Sequence, residues 1–157
     1  MYLLKVFYFL YLLCIPLGAM ISIFILTRSS IFKFNHIIGS AVILIAVYSI
    51  IMYKCPVNIT MDNNILLGYI MNFSKECWYV DWSYMLANII TLLVAITQLG
   101  NNNIYASGIY IVIIASLLSI AECVMWSINL VIFPQYLFGE ITWIMAMLYS
   151  LIKVSRK

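Results

Sequence analysis

The chain is built from long apolar stretches in which charged residues stand almost only at the ends. The first of them, residues 6–26, contains no charged side chain, and a helix needs about 20 apolar residues to cross a bilayer. Of all residues 66% are apolar and 8% charged, whereas soluble domains have roughly 45–50% and about 25%. A soluble fold of this size could not bury so much apolar surface. The sequence therefore predicts an integral membrane protein and excludes a soluble domain, a disordered chain and a nucleic-acid-binding protein.

Five apolar stretches are predicted to form transmembrane helices. They are residues 6–26, 37–53, 80–99, 109–133 and 137–152. We therefore expect an all-α integral membrane protein, a bundle of about five transmembrane helices, in which residues 1–157 form a single polytopic membrane domain. Residues 54–79 are the long polar segment and form the predicted outer loop.

Two of these spans have alternatives. Lys5 and the apolar run after it also fit a cleavable signal peptide, but cleavage after Ala19 would put Leu17 where a small residue is preferred. We therefore expect an uncleaved first span. Pro134 divides the long apolar run 104–152, since proline cannot continue a helix cleanly. We expect two spans joined by a tight turn there, with a re-entrant hairpin as the alternative.

The basic residues at the span ends predict the orientation. Cytoplasmic segments of membrane proteins carry an excess of Lys and Arg. In this chain the excess falls on the cytoplasmic side when the N-terminus is outside or lumenal and the C-terminus is cytoplasmic. The cytoplasmic set is then Arg28, Lys33, Lys153, Arg156 and Lys157, and the outer set is Lys5, Lys54 and Lys75. For a eukaryotic or viral protein, this predicts a multi-pass protein of the secretory pathway, the plasma membrane or a viral envelope.

The outer loop carries two kinds of modification signal. Asn58 and Asn72 begin glycosylation sequons, and Asn72 is the better acceptor because Asn58 lies close to the second span. Cys55 and Cys77 bracket the loop, and an oxidising lumen would let them pair. We expect a glycoprotein with a Cys55–Cys77 disulfide; chance sequons and two free thiols are the alternatives.

Glu122 is the most informative residue, because it falls near the middle of the fourth span. An ionised acid there costs roughly 2.5–3.5 kcal/mol, so it must face protein or water, or be protonated. Helical spacing predicts a polar face on each of the third and fourth spans, and we expect the two to face each other. The intramembrane polar face comprises Asp81, Asn88 and Thr91 in the third span and Ser119, Glu122 and Asn129 in the fourth.

These polar faces have three interpretations. The first is hydrogen bonding between helices, at about 0.6 kcal/mol per bond on average. The second is a path for an ion, a proton or a small solute that Glu122 lines. The third is an interface with a partner in a larger complex. Glu140 is expected to be an interfacial acid, and His36 a helix-end or headgroup contact.

Catalytic and metal-binding patterns are missing from the sequence. The chain has one histidine, no C-x-x-C pair and no triad, zincin or phosphate-loop motif. We therefore expect no enzyme, no metal site and no cofactor. The expected function is a non-enzymatic interaction or assembly subunit in a cellular or viral membrane, acting through the outer loop and the Glu122 face. Its partners would be the lipid bilayer and other membrane-protein subunits or a second copy of the chain. The alternative is a small channel or transporter for ions, protons or a small solute that uses Glu122.

Overall fold

The computed structural model describes residues 2–27, 34–61, 69–100, 105–128 and 137–155. Its helices are α1 (Tyr2–Tyr8), α2 (Tyr11–Thr27), α3 (Phe34–Lys54), α4 (Tyr79–Gln98), α5 (Ala106–Ser127) and α6 (Leu137–Ser155). Two strands, β1 (Val57–Met61) and β2 (Tyr69–Phe73), and the 3₁₀ turn Lys75–Cys77 lie between α3 and α4.

The apolar stretches are helical, because a backbone in lipid must satisfy its hydrogen-bonding groups within its own segment. Four helical segments are long and apolar enough to cross a membrane. They are Leu4–Thr27, Ile37–Lys54, Tyr79–Gln98 and Ala106–Ser127. The prediction of an all-α membrane bundle is confirmed at this level. The fourth span was predicted to reach residue 133, but α5 ends at Ser127; Pro134 lies outside the described residues.

The predicted outer loop, residues 54–79, contains a β-hairpin that was not expected from the sequence. Strands β1 and β2 are antiparallel, with Val57 opposite Phe73 and Met61 opposite Tyr69. The strand sequences Val-Asn-Ile-Thr-Met and Tyr-Ile-Met-Asn-Phe are rich in the β-branched and aromatic residues that favour strands. The hairpin packs onto the bundle where Phe73 stacks on Phe9, with ring centroids 3.9 Å apart. Phe9 lies at the short break between α1 and α2.

The long helices surround a shared core. Helix α2 contacts α3, α4, α5 and α6, while α5 also packs along both α4 and α6. Buried side chains from α2, α4, α5 and α6 form one cluster that includes Leu26, Ile109 and Trp143. Helix α3 lies at the edge of the bundle, where α2 is its principal helix neighbour.

The two ends of the bundle are distinct. At the hairpin end, α1 begins and α3 ends beside the β-hairpin. At the opposite end, the Tyr105 N–H donates to the Leu26 carbonyl over 3.1 Å, and the Ser107 and Tyr149 hydroxyls are 2.5 Å apart. The Lys153 ammonium lies 5.4 Å from the centroid of the Tyr105 ring at that end. Consecutive long helices therefore run in alternating directions.

Lys5 joins α1 to the end of α3. Its ammonium donates to the Met52 carbonyl over 2.6 Å and also to the Cys55 carbonyl. The last carbonyls of a helix have no partner within the helix, and they form the negative end of its dipole. The Lys5 ammonium therefore satisfies carbonyl oxygens and balances the helix dipole with one group.

We expect Lys5→Met to lower the free energy of unfolding by about 1–3 kcal/mol, because the variant leaves these carbonyls without a charged donor. The control is Lys54→Met, which removes the same charge from an exposed position at the same helix end and is expected to change little. Unfolding in mixed detergent micelles, followed by circular dichroism, measures both. Equal losses in the two variants would contradict the proposed role of Lys5.

Candidate functional site

Glu122 of α5 faces the first turn of α6. The side chain is 5% exposed. Its Oε1 accepts a hydrogen bond from the Phe138 N–H over 2.8 Å, and its Oε2 accepts one from the Gly139 N–H over 2.7 Å. The first four N–H groups of a helix lack partners in their own helix, and the positive end of the helix dipole favours an anion there. Glu122 is therefore an N-terminal cap of α6 that a neighbouring helix supplies.

The local sequence explains why α6 takes its cap from elsewhere. The residue before Leu137 is Tyr136, whereas Ser, Thr, Asp and Asn are the residues that cap a first turn with their own side chain. Hydrogen bonds to an ionised acceptor are roughly twice as strong as neutral ones. Residue 136 is therefore not of a type that favours capping, and a carboxylate on α5 binds the first-turn N–H groups.

The cap depends on the closeness of α5 and α6 at Gly139. A Cβ atom added to Gly139 would lie 2.6 Å from the Ser119 Oγ, 2.8 Å from the Glu122 Oε2 and 3.2 Å from the Ser119 Cα. The Ser119 Cα belongs to the α5 backbone and cannot rotate away. Any side chain at position 139 would therefore push the two helices apart at the point where the cap forms.

Trp143, one turn further along α6, joins three helices. Its indole is fully buried, and its Nε1–H lies 3.1 Å from the Ser119 Oγ of α5 and 3.2 Å from the Asn88 Oδ1 of α4. The Asn88 Nδ2 in turn donates to the Tyr84 carbonyl over 2.9 Å. The polar faces of α4 and α5 are thus connected through a tryptophan of α6.

The remaining residues of the predicted polar face are placed differently. Thr91 is buried, but its hydroxyl donates to the Ala87 carbonyl of its own helix over 2.8 Å. Asp81 is exposed near the start of α4, where it lines a pocket with Cys123 and Trp126. Asn129 lies outside the described residues. The structure therefore brings together Asn88, Ser119 and Glu122 from the predicted set.

Sequence reasoning missed Trp143 and Gly139. A tryptophan inside an apolar span does carry a signal, since a buried indole N–H usually has an acceptor. A glycine two residues after the start of α6, as at Gly139, is a weaker indication of a close helix contact. Neither signal says which helix lies opposite.

The predicted Cys55–Cys77 disulfide is absent from the structure, where both cysteines are buried free thiols. The Tyr79 hydroxyl lies 3.0 Å from the Cys55 Sγ and 3.8 Å from the Cys77 Sγ, so the two thiols share a contact with one phenol. Burial, together with a hydrogen bond to Cys77, raises the pKa of the Cys55 thiol. The ends of the loop are joined instead by the hairpin and by the Ser74 N–H, which donates to the Pro56 carbonyl over 3.1 Å.

The remaining predicted sites lie at the ends of the bundle. Asn58 is exposed in β1, and its partner in the strand register is Asn72 of β2. Glu140 is half-buried near the start of α6. The side chain of His36 lies outside the described part of the structure. Among the described residues, no group of three His, Cys, Asp or Glu side chains could hold a metal ion.

We expect Gly139→Ala to lower the free energy of unfolding by about 1–3 kcal/mol, because overpacking at a helix contact forces the backbones apart. The control is Gly39→Ala on the exposed side of α3, where an added Cβ would have no described atom within 4 Å. The free energy of unfolding of that variant is expected to rise by up to about 1 kcal/mol, because alanine has a higher helix propensity than glycine. Unfolding in detergent micelles, followed by circular dichroism, measures both variants. A change of the same sign in the free energy of unfolding of both would contradict the close approach of α5 and α6 at Gly139.

The arrangement is that of a structural junction. Both carboxylate oxygens of Glu122 and the indole N–H of Trp143 are engaged by groups of the protein. These contacts fix the relative positions of α4, α5 and α6. Comparison of the chain with protein-family models, curated proteins and solved structures gives no match.

Proposed function

We propose that the protein is a non-enzymatic multi-pass membrane protein that acts as an interaction or assembly subunit in a cellular or viral membrane. The observation that carries the proposal is the exposed side of α3, which faces away from the other described helices. Its exposed small residues Gly39, Ala46 and Ser49 follow one another at intervals of seven and three, which places them on one side of the helix. Small residues on one side of a transmembrane helix let another helix approach closely.

The packing within the chain does not account for this face. A Cβ atom on Gly39 would meet no described atom within 4 Å, so no neighbour in the described bundle requires a glycine at this position. Glycine in a helix costs about 0.5–1 kcal/mol relative to alanine. Close contact with a helix of another subunit, or of a second copy of the chain, would offset that cost.

The Glu122 face is not part of the proposed interface. Glu122 and Ser119 are buried against α6, and a partner could reach them only by displacing that helix. The interface therefore consists of the α3 face together with the outer loop beside it. This differs from the expectation that the Glu122 face would be presented to partners.

The alternative, a small channel or transporter, draws less support from the geometry. It needs Glu122 to bind an ion or to carry a proton. Each Glu122 oxygen accepts a backbone hydrogen bond from α6, and releasing either would leave a helix N–H without its acceptor. Such groups are costly to leave unpaired in a low-dielectric interior.

The topology that we propose has five spans, with α6 as the fifth. The N-terminus and the outer loop lie on the outer or lumenal side, and the C-terminus lies in the cytoplasm. Supporting this, the hairpin end carries both sequons, while Lys153 lies at the opposite end. This arrangement agrees with the excess of basic residues on the cytoplasmic side.

We expect Gly39→Leu and Ala46→Leu to weaken assembly by roughly tenfold, which corresponds to about 1.4 kcal/mol, because a larger side chain prevents the close approach of a partner helix. Native gel electrophoresis in a mild maltoside detergent measures the complex against the 18.1 kDa chain. Ala121→Leu is the control, because it makes the same change at an exposed position on α5. A wild-type protein that migrates as a monomer, or a control as disruptive as the two variants, would overturn the proposal.

Glu122→Gln tests the alternative in the same preparations. The amide keeps the size of the side chain and one of its two acceptor oxygens, and the site is separate from the α3 face, so assembly is expected to persist. Proton or cation flux into liposomes is expected to be the same for the wild type and the variant. Loss of a flux in the variant, with assembly intact, would favour the channel or transporter.

We expect Asn72→Gln to abolish the glycosidase-sensitive mobility shift of the protein made in secretory cells, because Asn72 is separated from the nearest predicted span by more residues along the chain than Asn58 is. Asn58→Gln is the matched control and is expected to keep the shift. Gel mobility before and after glycosidase treatment measures both. A wild-type protein without any shift would contradict glycosylation at Asn72 and remove this support for the proposed orientation.

A further inference from the structure

A pocket lies between α4 and α5 near the hairpin end. Its volume is about 420 Å³, which is within the range of small-molecule sites. Three of the four tryptophans of the chain line it: Trp78 and Trp82 at the start of α4 and Trp126 near the end of α5. Asp81 is the only carboxylate among its described lining residues, and these include no Lys or Arg.

The tryptophan rings line the sides of the pocket. The ring centroids of Trp78 and Trp82 are 6.3 Å apart, and the two ring planes meet at 86°. Their side chains are 63% and 54% exposed, so ring surface remains open to an occupant. Trp126 contributes a wall from the other helix, and Cys123, 6% exposed, lies deeper in the pocket.

This combination of groups fits a cation that has little hydrogen-bonding capacity. The face of an indole attracts cations more strongly than other aromatic rings do, and aromatic cages recognise quaternary ammonium groups. The Asp81 carboxylate adds a negative charge and disfavours anions. An apolar, methylated cation loses little hydration when it enters such a site, whereas K⁺ or NH₄⁺ would need more oxygen acceptors than Asp81 provides.

We infer that the Trp78–Trp82–Trp126–Asp81 pocket binds a quaternary ammonium group. Tryptophans at the ends of transmembrane helices lie at the depth of the lipid headgroups, so both the choline headgroup of a lipid and a free quaternary ammonium cation can supply the ligand. The inference does not depend on the proposed assembly role, because the pocket lies on α4 and α5 and not on α3.

The first test uses tetramethylammonium as the probe, with the full chain in nanodiscs of phosphatidylglycerol, which contain no choline. Isothermal titration calorimetry is expected to show binding that K⁺ does not compete away. Trp82→Leu and Asp81→Asn are each expected to weaken it by about fivefold, the change that corresponds to ~1 kcal/mol for one cation–π or charge contact.

Matched controls separate the pocket from the surrounding surface. Tyr53→Leu removes an aromatic side chain that is 83% exposed, and Glu76→Gln removes an exposed acid; both lie at the hairpin end. Neither is expected to change binding. Trp82→Tyr and Asp81→Glu, which keep the ring and the charge, are expected to retain most of the affinity and show that the variants fold.

A second arm identifies the source of the ligand. Protein purified in maltoside from membranes that contain phosphatidylcholine is analysed by native mass spectrometry for retained lipid. If the wild type retains phosphatidylcholine and Trp82→Leu does not, the site binds a lipid headgroup. If tetramethylammonium binds but no lipid is retained, the site binds a free cation. The inference is overturned if neither ligand binds, if K⁺ competes equally, or if the control variants weaken binding as much as Trp82→Leu does.

Discussion

The bundle depends on two charges that complete helices other than their own. The first N–H groups and the last C=O groups of a helix have no partners within their own helix. The Glu122 carboxylate meets the positive end of α6, and the Lys5 ammonium meets the negative end of α3. Each charge is matched to the sign of the dipole that it faces. Because both contacts join two different helices, they are tertiary contacts as well as caps.

The contacts around Glu122 depend on one another. The small Gly139 lets α6 approach α5 closely enough for both oxygens of Glu122 to reach its first turn. The same approach brings Trp143 within reach of Ser119 and Asn88. Residues that share a contact network do not contribute additively to stability. A substitution at Gly139 therefore affects the indole hydrogen bonds of Trp143 as well as the cap.

The sequence was sufficient for the helices and for the statement that Glu122 must face protein or water or be protonated, because both follow from the cost of polar groups in lipid, a property of single residues. The acceptor–donor pairing of Glu122 with Gly139 was not predictable, since it requires the relative positions of two helices. The disulfide expectation failed for a similar reason: Cys55 and Cys77 bracket one loop, yet a disulfide also requires a specific separation and orientation. Their thiols pack around Tyr79 instead.

The polar groups inside the bundle stabilise its own helices, so interactions with other molecules are left to its periphery. The two proposed peripheral sites are on different helices. The assembly face is the exposed side of α3 around Gly39 and Ala46, whereas Trp78, Trp82 and Trp126 line the aromatic pocket between α4 and α5. A partner helix on α3 would therefore leave the aromatic pocket open, and both sites could be occupied at once.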